Sequence, residues 1–418
     1  MRFDVFFSIS QTPVDGKAPA EQQMLRNFLQ QVEAADRLGF GVAWIAEAHL
    51  STEVQKRNRK PVVPDWKGEV GLNTDILQLA HVVLQRTGSI EVGSAVLNLL
   101  CNGGPVAHAE RIATFAALRQ AAAPGDNRRL HVGFSAGRFD FQNRAYGIDP
   151  RPGIEQAMPF GLWKGKVFDE AAEIFARLLR GDTLSSADIK ERTVTRADGR
   201  TDDDWRRIQQ VARQEGRLSA DGGTVRLPKW YEFEHLKLVP QDWDRSLVQL
   251  VVGSHDPAVQ ANVNRILPAH VANLSITPST TIEATHERMR KQFHPAGGAW
   301  KREHMPRTVL VFLNEEPGLT KAERQAAAKK EARSALSAYW SALEGTLDPR
   351  KVDEAADNAV VGDAEDVAAQ LASRYHPDDR LMLWFDFFNH DCARVVRNME
   401  AFMQKVAPLL PRAKAVAA

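Results

Sequence analysis

The feature that most restricts the fold is a repeated alternation of short apolar runs with longer segments of helical period. The runs are Phe3–Ile9, Val42–Ala46, Ile90–Leu97, Leu130–Phe134, Leu247–Val252, Val271–Ile276, Thr308–Leu313 and Leu381–Phe388. Several are apolar nearly throughout, the pattern of parallel strands covered on both faces. Between them, apolar residues recur three or four apart, as in Leu25/Phe28/Leu29/Val32/Ala35 and Val167/Ala171/Ile174/Leu178. Each such segment presents one buried stripe. Punctuation agrees: Gly39 follows the first helical segment, Asp256-Pro257 opens another, and Thr320-Lys321-Ala322-Glu323 has the form of a reciprocal capping box.

This stoichiometry predicts an α/β fold of the (β/α)8 TIM barrel type. The competing open, doubly wound sheet usually carries a G-x-G-x-x-G turn after its first strand, and Ser8–Gly16 has none. A barrel of this kind can occupy the chain from 1 to 410 as one domain, leaving 411–418 as an Ala-rich tail. Two stretches exceed a bare barrel. One, Leu50–Leu72 after strand 2, holds Lys56, Arg57, Arg59 and Lys60. The other, Gly181–Ser246 before strand 5, is highly charged up to Arg217 and is expected there to be a solvated helix or surface segment. Strand-like pieces follow at Thr224–Leu227 and Tyr231–Val239.

Lys+Arg 54 against Asp+Glu 53 leaves a net charge of +1, so no global attraction to nucleic acid or to a membrane surface is expected. Two cysteines, Cys101 and Cys392, cannot form a four-thiolate metal site and suit a reducing compartment. No apolar stretch reaches a bilayer's length, and the N-terminal run is broken by Asp4, so a cytoplasmic protein is expected. Phosphate-loop and G-x-S-x-G motifs are missing. His286-Glu287-Arg288-Met289-Arg290 lacks the second histidine of a zinc-protease helix, so no metal is expected. Asn273-Leu274-Ser275 matches a glycosylation acceptor but falls on a predicted core strand.

Chemistry in such barrels gathers where the strands end. Here the second strand runs into Glu47-Ala48-His49 and the third into Asn98; the fourth meets Ser135-Ala136-Gly137-Arg138. The fifth runs into Gly253-Ser254-His255-Asp256, the sixth into Thr277, and the eighth into Trp384-Phe385-Asp386. Gly253–Pro257 is a strand–turn–helix junction suited to a phosphate, and Gly133–Arg138 adds a flexible turn with a cation. Each has a plainer reading: a capped turn in the first case, an Arg138–Asp140 surface pair in the second.

At these residues the sequence resembles the bacterial-luciferase-like flavin monooxygenases. The likeness runs from Arg2 to about Leu410 outside the insertions. It is carried by Leu38–His49, Val92–Leu97 with Pro105–Glu110, Leu130–Gly137 with Ala145–Ile148, Leu250–Ser254, Val361–Val367 and Leu381–Phe388. The resemblance implies a (β/α)8 barrel binding FMN, or in one branch a deazaflavin coenzyme. It implies a cis peptide at Ala95–Val96 beneath the flavin, and contacts to flavin and phosphate from Ser135, Ala136, Gly137, Arg138, Gly253 and Ser254. Two positions depart from the luciferases: of the paired histidines after the second strand only His49 remains, next to Ala48, and the phosphate arginine is replaced by Ala136, with Arg138 two positions on.

The resulting expectation is a monooxygenase that uses reduced FMN and dioxygen to oxygenate a small organic substrate through a peroxyflavin, its reduced flavin coming from a separate reductase. His49 is the expected acid/base group, with Asn98 and Asp386 beside it and Trp384 in the lining. The loop Lys56–Lys60 and the second insertion are candidate lids. A dimer is implied by the resemblance. The alternatives are hydride transfer with a deazaflavin on the same fold and a non-catalytic flavin-binding partner subunit.

Overall fold

The computed structural model describes residues 1–14, 16–51, 53, 68–273, 277–342 and 359–411, with backbone alone for 340–342. The loop Lys56–Lys60, most of the tail, and residues 274 and 275 of the glycosylation match lie outside them.

The strands are β1 (Arg2–Phe7), β2 (Val42–Ile45), β3 (Glu91–Ser94), β4 (Leu97–Asn98), β5 (Leu130–Ser135), β6 (Thr193–Thr195), β7 (Thr224–Arg226), β8 (Val248–Val252), β9 (Ala269–Val271), β10 (Arg307–Leu313), β11 (Val360–Gly362) and β12 (Arg380–Trp384). Seven of the eight predicted runs hold a strand over at least half their length; the sixth, Val271–Ile276, meets β9 only at Val271, and its residues 274–276 lie outside the described ones. Ten strands form one curled parallel sheet in the order β11-β10-β12-β1-β2-β3-β5-β8-β9, with β4 also on β5. Among the described residues, the ladder that a closed barrel needs between β9 and β10 is represented by one parallel bridge, Asn273 to Arg307. The architecture is α/β and TIM-like, a curled parallel sheet rather than a fully closed barrel. β11 pairs outside β10 and has no counterpart among the predicted strands.

Period two arranges the β1, β2 and β12 side chains in layers inside the curl. At the N-terminal end, the fully buried Asp4 accepts from Arg380 Nε at 2.6 Å, Trp44 Nε1 at 2.7 Å and Val42 N at 3.1 Å. Above it lies an apolar layer of Phe6, Trp44, Val251 and Met382. Helices cover the outside. Glu21–Leu38 buries Met24, Phe28, Val32 and Ala35 and stops at Gly39, whose φ of 82° is the left-handed conformation glycine takes freely. The Thr320 capping box forms, with Thr320 N donating to Glu323 at 2.7 Å.

The insertion differs from its expected solvated state. Helix Asp202–Gln214 buries Trp205, Ile208 and Ala212, a one-sided stripe that joins the main core. β6 pairs antiparallel with β7, and Arg192 from the insertion bonds Asp169 at 2.9 Å and Glu173 at 2.7 Å on the helix Phe160–Arg180. Its charges are thus largely paired, while every third or fourth residue is apolar. Tyr231–Val239 forms no strand: one bridge, Leu184 to Leu236, fixes it, and the backbone N–H groups of Trp230 and Tyr231 are held by Glu170.

Candidate functional site

The C-terminal ends of the strands are lined by smaller or polar residues. Two positions beyond Phe6, Trp44, Val251 and Trp384 come Ser8, Ala46, Gly253 and Asp386. The interior apolar cluster consequently ends in partly exposed Ala46, Ala95, Val96 and Trp384, a floor at the mouth of the curl. The Ala95–Val96 bond is cis and separates β3 from β4. A Cβ at Gly253 would lie 3.0 Å from the Phe134 carbonyl and 3.1 Å from Val96 Cγ1, so this residue holds β8 close to β5.

Parallel ladders β2–β3, β3–β5 and β5–β8 set the ends bearing His49, Ala95, Ser135 and Ser254 side by side. His49 is buried; its Nε2 lies 3.0 Å from Glu47 Oε1, its carbonyl accepts from Gln142 Nε2 at 2.7 Å, and Tyr146 meets its ring edge-on at 5.8 Å. Glu47 and Tyr146 lie in segments that carried the family likeness but had no role assigned to them, and Gln142 was not singled out. Asn98 turns away from an open lining role: its amide bonds Cys101 Sγ at 2.9 Å and Asn143 Oδ1 at 2.8 Å and accepts from Leu100 N, bracing the turn after β4.

In the turn after β5, Gly137 N donates to Ser135 Oγ at 3.1 Å and the Ala136 carbonyl accepts from Asn143. Asp140 pairs with Lys164 at 2.7 Å rather than with Arg138, and Lys164 also reaches the Gly137 carbonyl. Arg138 is exposed, donates to the Tyr339 hydroxyl at 3.3 Å, and has no carboxylate partner among the described residues. Two cations thus flank this turn; Lys164, on a helix twenty-odd residues downstream, was not singled out by the sequence. At the other candidate phosphate turn, Ser254 Oγ accepts from Asp256 N at 3.2 Å, and the Asp256 carboxylate caps the helix Pro257–Asn264 through Ala258 N at 2.8 Å.

Asp386 faces Ser8 Oγ at 3.5 Å; its Oδ1 and the Trp384 Nε1 are buried without a hydrogen-bond partner. Burial, outweighing hydrogen bonds from Ser8, pushes the Asp386 carboxyl up to about 7 from an ordinary value of 3.8. The unfolded chain therefore releases this proton at lower pH than the folded one. This group's contribution to stability is undiminished below about pH 4, declines as pH rises, and levels off above about 7. Asp386→Asn removes the titration, so the melting temperature of the variant relative to wild type is expected to be higher at pH 8 than at pH 5. A difference that does not change with pH would contradict the buried carboxyl.

Among the described residues no group of three His, Cys, Asp or Glu side chains is placed to hold a metal ion, and no helix is long and apolar enough to cross a membrane.

A TIM-like sheet whose strand ends gather small residues, a paired imidazole and one turn flanked by two cations is the layout of a small-molecule enzyme. Residues 1–377 match the luciferase-like monooxygenase family, and the chain belongs to it. Comparison with curated proteins gives no match. Among solved structures, the chain is similar to the monooxygenase RslO1 from Streptomyces bottropensis, at 18% identity and a TM-score of 0.65, over 98% of this chain and 99% of that one. It is also similar to the oxygenating constituent of 3,6-diketocamphane monooxygenase from Pseudomonas putida, a structure in complex with FMN, at 12% identity and a TM-score of 0.57 over 99% of both chains. An F420-dependent secondary alcohol dehydrogenase aligns at 15% identity and a TM-score of 0.54 over 98% of both chains. At these identities the likeness is one of fold.

Proposed function

We propose that this protein is a flavin-dependent monooxygenase that takes reduced FMN and dioxygen and oxygenates a small organic substrate, the reduced flavin coming from a separate reductase. The observation that carries this reading is the partly exposed apolar patch of Ala46, Ala95, Val96 and Trp384 at the strands' C-terminal ends, against which a planar ring system would lie. Bound there, reduced flavin would supply the electrons that activate dioxygen.

The chain's own tasks follow from its geometry. Ala95, Val96 and Gly253 would lie against the ring system and exclude water from it. Ser135, Ala136, Gly137 and Ser254 would offer backbone and hydroxyl groups, and Arg138 with Lys164 the positive charge for a phosphate. With Glu47 accepting from Nε2, His49 keeps Nδ1 as its basic atom, able to hold or move a proton. Asp386, protonated below about pH 7, would act there as a hydrogen-bond donor beside Trp384. A dimer in the cytoplasm is part of the same reading.

His49→Ala is expected to lower kcat about 100-fold while leaving the Kd for reduced FMN within about twofold. Anaerobic titration with reduced FMN, followed by substrate-dependent oxygen uptake, measures both quantities. Failure of the wild type to bind reduced FMN at micromolar concentration ends the reading. The likeness to an F420-dependent enzyme supports a second one, hydride transfer with a deazaflavin. Micromolar binding of the reduced deazaflavin without binding of reduced FMN would select it.

A further inference from the structure

The opposite, N-terminal end of the curl holds a cavity of about 530 Å³ that the proposed oxygenation does not use. Its lining includes the start of β1 and β12 (Arg2, Arg380), the residue before β5 (Arg129), the segment entering β8 (Arg245) and the approaches to β9 and β10. Four guanidinium groups therefore face one space in which Glu303 is the single lining carboxylate. Arg2 pairs with Glu303 at 2.7 Å, Arg129 with Glu91 at 3.2 Å, and Arg380 with Asp4, so three of the four are partly neutralised from the side or behind. Arg245 is not: its Nε donates to the Leu179 carbonyl at 3.0 Å, it lies over the Trp243 ring at 4.8 Å, and it meets no carboxylate among the described residues.

Part of the wall is aromatic. His270 and His304 stack at 4.2 Å with their planes 13° apart, and Phe293 packs on His304 at 5.2 Å. Burial lowers the affinity of both imidazoles for a proton, so near neutral pH they present flat, uncharged faces. The volume suits a ligand of mononucleotide size. Flat rings beside an excess of guanidinium select a ligand with a π-face and a planar or tetrahedral anionic head.

We propose that this N-terminal cavity is a second ligand site, separate from the candidate flavin end, that binds an aromatic organic anion carrying a phosphate or carboxylate. Its ring would lie against the His270–His304 wall and its head would meet Arg245 and Arg129.

Calorimetric titration of the full-length protein with AMP and with 4-hydroxybenzoate tests this, with adenosine and inorganic phosphate as the ring-only and head-only probes. At least one of the two aromatic anions is expected to bind at least tenfold tighter than adenosine or phosphate, and the one that binds identifies the head group. Arg245→Glu, on the exposed rim, is expected to weaken that binding at least tenfold with the melting temperature unchanged. No binding of either anion at millimolar concentration, equal binding of inorganic phosphate, or binding indifferent to Arg245→Glu overturns the proposal.

Discussion

Asp4→Ala is expected to destabilise the fold by about 3–5 kcal/mol, the cost of leaving a buried charge without its counter-charge. Asp4 is wholly buried and accepts three hydrogen bonds, from Arg380, Trp44 and the Val42 backbone. Its removal strands the Arg380 guanidinium inside the curl and leaves the Trp44 indole N–H unpaired. Three strands, β1, β2 and β12, meet at this one carboxylate. Urea unfolding followed by tryptophan fluorescence measures the loss. Because the penalty comes from the unpaired charge rather than from the missing attraction, Asp4→Ala with Arg380→Met is expected to recover a large part of it. A single variant as stable as wild type would remove the ion pair from any account of the barrel's lower layer.

Gly133→Ala is expected to cost about 3 kcal/mol and to weaken reduced-FMN binding at least tenfold. A Cβ at Gly133 would overlap the Ser94 carbonyl oxygen and lie 2.9 Å from Val96 Cγ1. The neighbour is backbone rather than the end of a flexible side chain, so the added methyl can be housed only by moving β3 away from β5. That shift carries Ala95 and Val96, half of the proposed flavin floor. Thermal melting together with flavin titration separates the two effects. Lost stability with intact flavin affinity would show that the floor is not where flavin sits.

Much of the scaffold was legible in the sequence because local chemistry and tertiary placement agree there. The predicted strands are apolar on both faces, and Gly39, Asp256 and Thr320 punctuate helices through bonds made within a few residues. That His49, Ser135, Gly253 and Ser254 stand at neighbouring strand ends was legible for the same reason: once parallel strands are placed in a ring, their C-terminal ends must adjoin. The cis bond at Ala95–Val96 came instead from the family resemblance.

Partners distant in sequence were harder. The Asp140 carboxylate goes to Lys164 on the following long helix, leaving Arg138 free of it, and nothing local distinguishes the two cations. The insertion reads as solvated on composition, yet Trp205, Ile208 and Ala212 fall on one helical face while its charges pair with Asp169 and Glu173. β11 is three residues long, too short for periodicity to register, and exists because β10 offers it an edge.

The sequence by itself determined the succession of strands and helices, the family, and which loops bear polar groups, since periodicity and capping act over a few residues. The tertiary structure alone decided that the curl's ends approach at the Asn273–Arg307 bridge, that Asn98 braces a turn, and that four arginines from separate segments share one cavity. Those outcomes depend on which side chains approach across hundreds of residues. Coulomb and packing energies fall off with distance in space, and that distance is written only in the folded chain.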